Sequence, residues 1–78
     1  MTAIDKEDTE LMEAIGIRIR ELRKDRKVKG VELAKGVGIS RNALGLMESG
    51  RVYFKFSALL KILRYFNIST QEFFKDLN

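Results

Sequence analysis

Apolar residues recur along the chain at helical rather than strand spacing. Leu11, Ile15, Ile19 and Leu22 form one stripe, with Met12 beside it, and predict a helix from about Thr9 to Asp25. Residues 1–8 read as a polar lead-in in which Asp5 or Asp8 is an N-cap, and residues 9–78 as one domain. Val31, Leu33, Ala34 and Val37 predict a short second helix, about Val31 to Gly36. Gly38 then supplies a turn with positive φ, and Ile39 is expected to reach back to the core. Ser40 caps a third helix, Arg41 to about Ser49, whose inner face is Ala43, Leu44 and Met47 and whose stop is Gly50. The stretch Arg51–Phe56 alternates like a strand but has no partner strand in the sequence, so it is read as a loop. Ser57 is expected to cap a fourth helix running to about Phe66, with Leu59, Ile62, Leu63 and Phe66 facing inward and Asn67 as a left-handed stop. Ser69 and Glu72 make a capping box for a short last helix that carries Phe73, Phe74 and Leu77. The fold class is all-α.

Composition narrows the chemistry. The 78 residues include no cysteine and no histidine, so disulfides, thiolate metal sites and imidazole catalysis are excluded. No nucleophile with a base and no phosphate loop can be assembled, so neither an enzyme nor a cofactor is expected. No apolar run is long enough for a membrane span, and no signal-peptide layout is present, so a cytoplasmic location is expected. The net charge of +4 is unevenly placed: residues 1–14 sum to −4 and the remainder to +8. So basic a body suits a polyanionic partner.

In order and spacing, these segments resemble the helix-turn-helix proteins of the phage Cro/repressor type, also called Xre-like. The resemblance covers about Ile15 to Phe74. It rests on I-R-E-L-R at 19–23, E-L-A at 32–34, V-G-I-S-R at 37–41, L-x-x-M-E-x-G at 44–50, L-L-K-I at 59–62 and N-I-S-T-Q-E-F-F at 67–74. It implies a compact five-helix bundle whose second motif helix enters the major groove of double-stranded DNA. It also implies a small regulator such as a prophage repressor or a restriction-modification controller.

On that footing Arg41, Asn42, Gly45 and Leu46 are the candidates for base edges. Arg41 can form two hydrogen bonds with guanine, Asn42 can pair with adenine, and Leu46 can touch a thymine methyl. Lys27, Lys29, Gly30, Ser40, Ser49, Arg51 and Lys55 are the candidates for phosphate. Where the family commonly opens the first motif helix with Ser-Gln, this chain has Lys29-Gly30, which leaves backbone N–H groups and the lysines to hold phosphate there. Phe54, Phe56, Leu60, Phe73, Phe74 and Leu77 are more apolar surface than so small a core is expected to cover, and predict a homodimer interface. The second reading is a protein-interaction module, antirepressor or antitoxin-like, motivated by the sparse Gly30, Gly45 and Leu46.

Overall fold

The computed structural model describes residues 4–75 and Leu77. Positions 1–3 of the expected lead-in, and positions 76 and 78, lie outside the described residues. Among the described residues five helices follow one another: α1 (Lys6–Asp25), α2 (Gly30–Val37), α3 (Arg41–Ser49), α4 (Phe56–Tyr65) and α5 (Thr70–Lys75). There is no strand among the described residues, and Arg51–Lys55 is a connection.

One device ends each of the first four helices. The chain turns into the left-handed region at Lys27 (φ 56°), Gly38 (77°), Gly50 (73°) and Asn67 (55°). In each case the next residue's N–H reaches back to a carbonyl five positions earlier: Val28 to Arg23, Ile39 to Ala34, Arg51 to Leu46 and Ile68 to Leu63, at 2.9–3.1 Å. This is the Schellman stop. It satisfies the last carbonyls of each helix and, in three of the four, sends the following apolar side chain (Val28, Ile39, Ile68) back against the core. Gly38, Gly50 and Asn67 match the expected stops. Lys27 does not advertise itself, because a lysine at positive φ costs about 1 kcal/mol or more that a glycine would not.

The helices close around Ile15, Ile19 and Leu22 of α1, Leu33, Ala34 and Val37 of α2, Leu44 and Met47 of α3, Leu59, Ile62 and Leu63 of α4, then Phe66 and Phe73. Seven of these side chains are enclosed completely or nearly so, and each contributes about 1.5–3 kcal/mol through burial. α1 lies against α3, α2 touches both α3 and α4, and α5 seals the far end of α4.

Several boundaries and faces differ from the sequence expectation. α1 starts at Lys6, not Thr9, because the Asp5 carboxylate accepts the Asp8 N–H at 2.9 Å and nucleates the helix a turn earlier. Leu11 is 51% exposed rather than part of the buried stripe, since α3 meets α1 at Gly16 and its Gly50 stop meets α1 at Glu13, both further along. Val31 is 59% exposed. With the helix beginning at Gly30, the positions three, four and seven further on are Leu33, Ala34 and Val37, and Val31 falls about 100° off that stripe. α4 begins at Phe56 behind Lys55, and Ser57 lies inside its first turn. Tyr53 donates its hydroxyl to Asp8 Oδ2 at 2.7 Å and ties the α3–α4 connection to the first turn of α1. That bond to a carboxylate holds the phenol proton and raises the Tyr53 pKa above its usual value.

Phe73 is the clearest correction. Expected at an interface between copies, it is wholly buried in this chain's own core. Ser69 Oγ accepts the Glu72 N–H at 3.0 Å, as the capping box predicts, and this start turns Phe73 inward, edge-on to Phe74 with ring centroids 5.1 Å apart. Phe54 and Leu77 are half-buried against the same core, whereas Phe56 and Phe74 remain exposed.

Candidate nucleic-acid interface

A helix that reads DNA must be rigid behind and open in front. α3 begins at Ser40, whose hydroxyl oxygen accepts the Ala43 N–H at 2.9 Å, a cap that fixes where the first turn starts. Gly38, left-handed at the end of α2, sets the angle between the two motif helices. Leu44, Met47 and Glu48 form the buried back of α3, Ala43, Gly45 and Leu46 are half-buried at its flanks, and Arg41, Asn42 and Ser49 are exposed.

Two contacts fasten the back of α3 to α1. Arg23 and Glu48 form a bidentate pair, Nε to Oε2 at 2.8 Å and Nη2 to Oε1 at 3.2 Å, with only 12% and 6% of the two side chains exposed. Arg23 Nη1 also donates to the Val28 carbonyl at 3.2 Å, so one guanidinium joins α1, the α1–α2 connection and α3. The second contact is Gly16. A Cβ there would overlap the Glu48 carbonyl oxygen and lie 2.6 Å from that of Met47, so the two helices cross backbone to backbone. Sequence reasoning missed both. The ion pair does leave a trace in the sequence: Glu48 shares the helical face of Leu44 and Met47, and a carboxylate on an apolar face demands a buried cation.

The expected contact residues fall on the open side. Lys27, Lys29, Arg41, Arg51 and Lys55 are exposed, and none is paired with a carboxylate among the described residues. Lys27 and Lys29 precede α2, and the Lys29 N–H at its cap is taken by Glu32 Oε1 at 3.0 Å. Arg51 leaves α3 and Lys55 precedes α4. The Ser49 hydroxyl donates to the Leu46 carbonyl at 3.1 Å, which leaves its lone pairs outward. The structure brings three of these residues together: the Arg41 guanidinium lies over Gly30 and beside Gly45. Gly30 is buried in consequence.

No helix among the described residues is long and apolar enough to cross a membrane. No group of three or more potential metal-ligating side chains occurs among them.

Residues 19–73 match the helix-turn-helix family HTH_3. No curated protein sequence matches the chain. Among solved structures, the clp gene regulator ClgR from C. glutamicum is 28% identical, with a TM-score of 0.77 over 81% of each chain. The restriction-modification controller protein C.AhdI from Aeromonas hydrophila is 28% identical, with a TM-score of 0.76 over 81% of this chain and 96% of that one. An HTH_3 family transcriptional regulator from Vibrio cholerae is 28% identical at a TM-score of 0.79, over 88% of this chain but 39% of its own. A matched family over most of the chain, the likeness in fold to known regulators and an α3 that exposes Arg41 at its open first turn lead to one statement: the chain belongs to the HTH_3, Xre-like helix-turn-helix family of DNA-binding transcription regulators.

Proposed function

We propose that this protein is a sequence-specific repressor or controller that binds double-stranded DNA as a homodimer on a pseudo-palindromic operator. The observation that carries the reading is the split character of α3: buried and ion-paired behind, with Arg41 and Asn42 exposed at its first turn. Residues at that end of a recognition helix are the ones that approach base edges in the major groove. The match to C.AhdI, a restriction-modification controller protein, over 96% of that chain favours the controller reading.

Arg41 and Lys55 separate base reading from phosphate holding. Arg41→Ala is expected to cost about 1–3 kcal/mol on the best DNA site and to relax one base position. Lys55→Ala is expected to weaken all sequences alike and to lower the salt dependence by about one unit of slope. Fluorescence anisotropy on selected and random duplexes at several salt concentrations measures both. Equal losses on selected and random DNA for Arg41→Ala would refute its assignment to a base edge.

The dimer is proposed through α4 and α5. With Phe73 turned inward, the exposed apolar groups available there are Phe56, Tyr65 and Phe74, with Leu60 half-buried beside them. A two-fold axis near them would space the two α3 helices about 34 Å apart, one turn of DNA. Sedimentation at micromolar concentration is expected to show twice the 9.0 kDa chain mass. A single 9.0 kDa species there, and on DNA, contradicts the dimer.

A further inference from the structure

Gly30 has no conformational reason to be glycine. It occupies the first position of α2 and is absent from the left-handed positions, which are Lys27, Gly38, Gly50 and Asn67. Serine, aspartate or alanine would serve the helix start better, since glycine fixes more backbone freedom there. What the position lacks is room. A Cβ on Gly30 would stand 2.5 Å from Arg41 Nε, 2.6 Å from Cζ and 2.8 Å from Nη2. From the other side, a Cβ on Gly45, one turn further along α3, would stand 3.3 Å from Arg41 Nη1. The guanidinium is therefore laid into a notch whose two walls are glycines, one from each helix of the motif.

The seat is steric and not ionic. No described carboxylate pairs with Arg41, and the N-terminus of α2 carries the positive end of its dipole. The guanidinium thus keeps its donors unspent. Lying flat across α2, it has also given up much of the rotamer freedom that a long exposed side chain would otherwise lose on binding.

We infer that Gly30 is a positioning residue for sequence recognition: by carrying no side chain it lets Arg41 seat against α2, and this seat fixes where Arg41 presents its donor fork to DNA. The inference rests on the proposed reading of bases by α3. It replaces a phosphate contact from the Gly30 backbone as the reason for the glycine. Because the obstructing atoms belong to the flexible end of Arg41 and not to backbone, Gly30→Ala displaces the guanidinium without unfolding the domain.

The test is a double-mutant cycle on DNA selected by the wild-type chain, with Gly30→Ala, Arg41→Ala and the pair measured against the selected duplex, its single-base variants and random DNA. Gly30→Ala is expected to lower discrimination at the Arg41 position on the order of tenfold, with binding to random DNA preserved and the melting temperature equal or slightly higher. In the Arg41→Ala background, Gly30→Ala is expected to leave discrimination unchanged. Equal effects with and without Arg41, uniform weakening on all DNA, or no change in discrimination overturns the inference while leaving the proposed function standing. A wild-type chain that selects no sequence, or an Arg41→Ala variant that keeps full selectivity, overturns the inference and the assignment of Arg41 together.

Discussion

Glu48→Ala is expected to destabilise the fold by about 3–5 kcal/mol, the cost of leaving the Arg23 guanidinium buried and uncompensated. A domain of 78 residues has about 4–12 kcal/mol in total, so this one change removes between a quarter and all of it. Urea denaturation followed by circular dichroism measures the loss. Two companions locate its cause. Glu48→Gln removes the charge, keeps one of the two accepting oxygens and sets an amide NH2 against the other Arg23 donor, so about 1–3 kcal/mol is expected. Arg23→Met combined with Glu48→Leu removes both charges at similar volume and is expected to be close to neutral, because the pair's attraction is largely offset by its desolvation. A double variant as unstable as Glu48→Ala would show that geometry and not charge is at stake. The pair's worth to the protein lies in register: it sets α3 against α1 and the α1–α2 connection at once.

Gly16→Ala is the second large effect. Alanine normally gains about 1 kcal/mol over glycine inside a helix. At Gly16 the new methyl meets the carbonyls of Met47 and Glu48, which are backbone atoms and cannot step aside. Overpacking of this kind costs about 3 kcal/mol, so the clash outweighs the propensity gain and the net loss is about 2 kcal/mol. Gly36→Ala is the internal control. A methyl there meets only the ring of Tyr65, a side chain 42% exposed that can shift where backbone cannot, so it is expected to leave stability unchanged or slightly higher. Thermal melts of the two variants side by side measure the contrast. Equal melting temperatures would mean that α1 and α3 can separate at no cost.

The order of helices, the turn at Gly38 and the caps at Ser40 and Ser69 could all be taken from the sequence, because each depends on residues within a turn of one another. Leu44 and Met47 of α3 and Leu59, Ile62 and Leu63 of α4 followed from periodicity for the same reason, whereas Ala43, expected beside them, is only half-buried and Glu48 takes the inner place. Errors arose where a face is decided by an element far along the chain. Leu11 continues the stripe of α1 perfectly well, and only the place where α3 crosses leaves it in solvent. Phe73 and Phe74 are the same residue type in adjacent positions, and the cap at Ser69 decides which of them enters the core. Close approach leaves no periodic signal at all. Gly16 and Gly30 look like weak points in helices, yet each is where another group comes within contact: the backbone of α3 in one case, the guanidinium of Arg41 in the other.

This reshapes the candidate interface more than the fold. The expected contact set treated Arg41 and Gly30 as separate, one for a base and one for a phosphate. The structure joins them in one contact across the two motif helices. Arg51 and Lys55 remain apart from that contact, on the α3–α4 connection, where a cation can add affinity without choosing a sequence.

The most direct test of DNA reading by α3 is selection of duplexes from a random pool by the full chain, sequenced after several rounds at near-physiological salt. The account predicts an enriched pseudo-palindrome with half-sites about 10 base pairs apart centre to centre, and loss of one symmetric pair of positions when Arg41→Ala replaces the wild type. Recovery of the pool without sequence preference, with affinity that simply falls as salt rises, would contradict it and leave a cationic module whose partner is not a DNA sequence.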